Sequence, residues 1–153
     1  MPAQVFQVSY PGKQTHPFTL LLIVLGHFQI SNLRIEIEAS EASIQAALLR
    51  PACWQQWLWP QCISPGLPEQ LESGIKFSSF LGPFTIQHQV EIAEQNCLQL
   101  ILSQGIDGFH EWYWGEGWVQ SRLEGVSLLP LNCAQTLNLI RLRHYLLANV
   151  KLQ

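Results

Sequence analysis

The sequence predicts an α+β domain in which a curved antiparallel sheet wraps a long C-terminal helix, and three observations carry that prediction. Between residues 75 and 128 the chain alternates apolar and polar residues in segments separated by short turn signals. Connections that short leave successive strands as antiparallel neighbours. From Cys133 to Val150, Leu139, Leu142, Leu146 and Val150 recur at helical spacing, with Ile140 and Leu147 widening the stripe. A helix with such a stripe must lie on apolar surface, and the concave face of the sheet is the one large partner on offer. At 153 residues the chain has the length of one domain and can bury one substantial core.

Residues 1–17 carry three Pro and one Gly and read as an irregular arm. The run Phe18–Leu25 (FTLLLIVL) is too short and too uniformly apolar for periodicity to choose between strand and helical turn. The expected division is therefore an N-terminal arm over 1–26 and the domain proper over 27–153. The first strand starts at His27: Leu33, Ile35 and Ile37 alternate with Arg34, Glu36 and Glu38, while Gln29 and Ser31 alternate more loosely with Phe28 and Ile30. Ser40 is placed to cap a helix from Glu41 to Leu49, with Glu41 at the positive end of its dipole. Pro51 disfavours helical geometry at Arg50 and ends that helix. A second short helix, Ala52 to Trp59, stops at Pro60, and a loop rich in Pro and Gly runs on to Gly74. Strands are then predicted at Ile75–Leu81, Thr85–Ala93, Leu98–Gln104, Phe109–Gly115 and Trp118 to about Leu128. Pro130 stops the last strand, Asn132 is the expected N-cap of the final helix, and Gln135 completes a capping box.

Composition narrows the function classes. Charged residues make up 12% and hydrophobic residues 48%, with a net charge of −3 and no basic stripe, which argues against a nucleic-acid partner. So little surface charge weakens protection against self-association and keeps a homodimer among the expectations. The four cysteines, Cys53, Cys62, Cys97 and Cys133, have neither CxxC pairing nor zinc-ligand spacing, so reduced thiols in a cytoplasmic protein are expected. Phe18–Leu25 is far short of the ~20 residues a membrane span needs. It also lacks the basic start and small-residue cleavage site of a signal peptide. No stable membrane insertion is expected.

The order of elements, together with Ala47-Leu48-Leu49-Arg50-Pro51 followed by Trp54 and Trp57-Leu58-Trp59-Pro60, resembles the START-related superfamily also called SRPBCC. That group spans lipid-transfer domains, polyketide cyclases and plant pathogenesis-related allergens. The likeness covers roughly Phe28 to Val150. It implies a helix-grip fold, a sheet gripping the last helix with a deep apolar pocket between them, and it puts Trp59 near the entrance.

The segment Asp107–Gly125 places three of the six Trp residues in one hairpin. A two-residue turn at Glu116-Gly117 sets Trp114 opposite Val119, Trp112 opposite Ser121 and His110 opposite Leu123, with Glu111 facing Arg122 on the other side. A three-residue loop would instead put Arg122 among the Trp residues. The shorter turn is preferred because it matches opposite charges and keeps apolar residues together. On the neighbouring strands His88 shares a face with Ile86, Val90 and Ile92, and Leu100 with Leu98 and Leu102. The candidate ligand-binding residues are Trp59, His88, Leu100, His110, Trp112, Trp114, Ser121 and Leu142.

Histidines on such a wall serve as hydrogen-bonded core residues, as ligand-orienting groups, or as acid and base. Asp107-Gly108 reads as turn chemistry. His-Glu-Trp-Tyr-Trp is not a helical metalloprotease motif, since Gly115 stands where a second His is needed. No catalytic residue, metal or cofactor is assigned. The expected function is binding of a small apolar or aromatic molecule in a cavity of about 300–1,000 Å³, the usual range for ligand sites. The alternatives are a cyclase or isomerase using His88 or His110, and a protein-interaction domain whose pocket its own side chains fill.

Overall fold

The computed structural model describes residues 26–150, so the proposed arm up to residue 25, with the run Phe18–Leu25, and residues 151–153 lie outside the described residues. The strands are β1 (His27–Glu36), β2 (Cys62–Ile63), β3 (Lys76–Leu81), β4 (Phe84–Glu94), β5 (Cys97–Gln104), β6 (Ile106–Gly115) and β7 (Trp118–Ser127). The helices are α1 (Glu41–Leu49), α2 (Pro51–Trp57) and α3 (Leu131–Val150). The strands form one antiparallel sheet in the order β1-β7-β6-β5-β4-β3-β2. Only the short strand β2 falls within the expected loop.

Alternation decides which side chains face α3. Along β5, Leu98, Leu100 and Leu102 are buried; on β7, Val119, Ser121 and Leu123 are buried. Opposite them Leu139, Leu142 and Leu146 are each 2% exposed or less, so the helix lies in the grip of the sheet as expected. Ile140, placed on the stripe by the sequence, is 49% exposed: its position falls on the solvent side of the helix. The β6–β7 hairpin adopts the two-residue turn, pairing Trp112 with Ser121, Trp114 with Val119 and Glu111 with Arg122.

The two short helices hold each other. Ser40 Oγ accepts from Ser43 N at the start of α1, as its position predicts. Near the end of α1, carbonyls lacking a helical partner are met by indole donors from α2: Trp54 Nε1 donates to Leu48 O at 2.9 Å and Trp57 Nε1 to Ala47 O at 3.2 Å. The second helix ends at Trp57, two residues earlier than expected, and Trp59 lies beyond it.

The start of α3 corrects the sequence reading. The helix begins at Leu131, so Asn132 lies inside it, and Gln135 forms no capping box. The first turn is held instead by β1. Gln29 Oε1 accepts from Leu131 N at 3.0 Å, and Gln29 Nε2 donates to Leu129 O at 2.8 Å. Asn132 donates to Ser31 Oγ. This explains the loose alternation of β1: Gln29 and Ser31 turn inward to meet the helix, which leaves Phe28 and Ile30 on the outer face, 59% and 62% exposed. Asp107 and Gly108, read as a turn, lie within β6, where Gly108 pairs with Gly125. The backbones approach so closely there that a Cβ on Gly108 would strike the Glu124 carbonyl.

Candidate functional site

The inner wall of β3–β6 carries two histidines, each held by a serine on the adjacent strand. His88 on β4 pairs with Phe77 on β3, and its ring stacks on Phe77 with centroids 4.6 Å apart and planes within 2°. Its Nε2 meets Ser79 Oγ at 2.7 Å. His110 on β6 meets Ser121 Oγ on β7 through Nε2 at 2.8 Å and packs 4.7 Å from Trp112. Burial lowers His88 to about 4. It lowers His110 to about 3, with His88 adding a smaller repulsion. Both rings are therefore neutral at pH 7.

Both histidines border a crevice under α2, closed on that side by Trp54, Trp57 and Leu58 and on the sheet side by Phe77, Leu98, Leu100 and Trp112. Gln61, Ile63 and Asn138 complete its rim. The free volume is about 40 Å³. This corrects the expected cavity: a space of that size takes about one water molecule. Aromatic side chains fill the rest, Trp57 standing edge-on to Trp112 at 6.2 Å and Trp54 lying 5.5 Å from Phe77. A roomier crevice of about 820 Å³ lies at the far end of the sheet, bordered by Gly26, Phe84, Asp107 and Leu128. Neither histidine nor any residue of α3 borders it, so it is not the expected sheet–helix pocket.

Of the candidate residues, His88, Leu100, His110 and Trp112 come together at the crevice. Ser121 stands behind His110 as its hydrogen-bond partner rather than on the wall. Trp114 and Leu142 are fully buried away from the opening, in the packed core. Trp59 is 64% exposed, with the Arg141 guanidinium 4.8 Å above its ring. The sequence reading missed Trp54 and Trp57 as wall residues, using them only for the superfamily resemblance. It also missed Phe77 and Ser79, whose alternation on β3 carried a usable signal.

Among the described residues no group of three His, Cys, Asp or Glu could hold a metal ion, and no helix is long and apolar enough to cross a membrane.

A seven-stranded antiparallel sheet gripping a C-terminal helix, with two short helices after the first strand, is the START-like helix-grip fold. Solved structures agree. The AHSA1-like protein from Aeromonas hydrophila matches with a TM-score of 0.60 at 16% identity, over 79% of this chain and 94% of that one. The Aha1 dimer from Colwellia psychrerythraea matches at 0.56 and 17% identity, over 77% and 96%. Norcoclaurine synthase from Thalictrum flavum, solved with dopamine and hydroxybenzaldehyde, matches at 0.55 and 12% identity, over 95% and 98%. At such identities the likeness is one of fold. No family model and no curated protein matches the sequence.

Proposed function

We propose that the chain binds a small apolar or aromatic molecule at the crevice under α2, with Trp57, Leu58 and Ile63 giving way to admit it. The observation that carries this reading is the composition of the wall. Aromatic and aliphatic side chains surround two neutral histidines, and His88 Nδ1 is buried without a partner. Apolar pockets with a few convergent polar groups are the usual form of small-molecule sites. Norcoclaurine synthase, of the same fold, was solved with small aromatic molecules bound, which fits the reading. Acid–base catalysis by either histidine is disfavoured, since an efficient general base has a pKa near the working pH. The proposal places the domain in the cytoplasm, where its free cysteines stay reduced.

A second reading is favoured by the free volume of about 40 Å³: a protein-interaction domain whose pocket its own side chains fill. Native mass spectrometry and Trp fluorescence titration with small aromatic compounds separate the two. Ligand binding predicts a co-purified or added molecule, and a fluorescence response that weakens in Trp112→Ala. Saturating compound with no mass shift and no fluorescence change leaves the interaction domain.

A further inference from the structure

The two histidines are wired alike. Gln135 Nε2 donates to the carbonyl of Ser121 at 2.8 Å, which fixes the orientation of its amide, and the same nitrogen lies 2.8 Å from Ser121 Oγ. The Ser121 hydroxyl thus receives a hydrogen from Gln135 and is free to give its own to His110 Nε2, 2.8 Å away. On the other side Gln61 Nε2 donates to Ser79 Oγ at 2.7 Å, and that hydroxyl stands 2.7 Å from His88 Nε2. A neutral imidazole that accepts at Nε2 carries its proton on Nδ1. His88 is 9% exposed, and its Nδ1 meets no partner. A buried donor left unpaired is costly, so a group that accepts from it is favoured there.

We propose that the two amide–serine relays fix both histidines as Nδ1–H donors, and that the ligand enters with a neutral acceptor, a carbonyl oxygen, as its buried end. The inference rests on the ligand-binding reading above and names the chemistry of what is bound. The free volume of about 40 Å³ suits a single oxygen-sized head, with the apolar body lying among the aromatic side chains of the mouth. A carboxylate is the poorer fit, because an anion entering this apolar wall meets two neutral rings and no cation among the residues that border the crevice.

Two measurements test it. Nitrogen-15 imidazole spectra at pH 7 read the protonated nitrogen directly, and Nδ1–H is expected for both His88 and His110. Nε2–H at either ring overturns the proposal without touching the binding reading. Titration with acetophenone and with its hydrocarbon counterpart α-methylstyrene reads the preference for an acceptor. The ketone is expected to bind about tenfold tighter, roughly what one net hydrogen bond supplies. Equal affinity overturns the acceptor inference alone; binding of neither sinks the pocket reading and this inference with it. Ser79→Ala and Ser121→Ala remove the relays while leaving the aromatic wall in place. The ketone preference should narrow in both, and a preference unchanged in both, in proteins that melt normally, overturns the relay.

Discussion

The two ends of the sheet–helix interface solve the same packing problem in opposite ways. At the N-terminal end of α3 the contacts are polar: Gln29, Ser31 and Asn132 bond one another or the backbone, and Gln135 reaches across to Ser121. Further along, the inner wall is aromatic, with Trp54, Phe77 and Trp112 gathered around the crevice. Hydrogen bonds are directional, so the polar end sets where the helix starts and how it is turned. Aromatic contacts are less strictly directional, and a small gap remains among them at the crevice. Position is fixed at one end and space is left at the other.

Four experiments break or sharpen that contrast. The largest effect belongs to neither end but to the stripe joining them: Leu142, fully buried, should cost about 2–5 kcal/mol when changed to Ala, measured by denaturant unfolding. A loss near zero would mean that α3 is not the core of the interface.

Acidification probes the aromatic end. Well above pH 6.5 both histidines are neutral whether the chain is folded or not. Below it the unfolded chain takes up protons that the folded one refuses until His88 reaches about 4 and His110 about 3. Stability therefore falls as pH drops, by about 3 kcal/mol for the pair at pH 5.5 relative to alkaline pH. A variant with both histidines replaced by Phe should lose most of that slope.

At the polar end, Gln29→Ala strands the Leu131 N–H and the carbonyl of Leu129, and should cost about 1–3 kcal/mol. Faster exchange of the first amides of α3 would localise the damage. The outer face should hardly respond. Arg122 contacts Glu111 at 3.6 Å and Glu124 more closely, and its side chain is 43% exposed, so Glu111→Gln should change stability by less than about 1 kcal/mol.

The contrast also explains what the sequence disclosed. The hairpin register was legible, because a two-residue turn, one charge pair and three Trp residues all require the same pairing. The cap at Ser40 was legible because its partner is three residues away. The start of α3 was not. Gln29 lies 102 residues from the Leu131 amide it caps, and a local rule favours Asn132 regardless. At the site, alternation put His88, Leu100, His110 and Trp112 on one wall. It says which way a side chain points and nothing about how far it reaches, so the volume was overestimated. Trp57 closes that volume from another element, and only the tertiary fold brings it to Trp112.

The outward turn of Phe28 and Ile30 has a colloidal consequence. Both belong to β1, which stands at the edge of the sheet among the described residues, and Val126 beside Phe28 is also exposed. A greasy margin next to unpaired backbone groups is the surface on which sheets join edge to edge. A net charge of −3 supplies little long-range repulsion to keep copies apart. Added salt should thus promote assembly rather than dissolve it, and Ile30→Lys should hold the protein monomeric at concentrations where the parent scatters light.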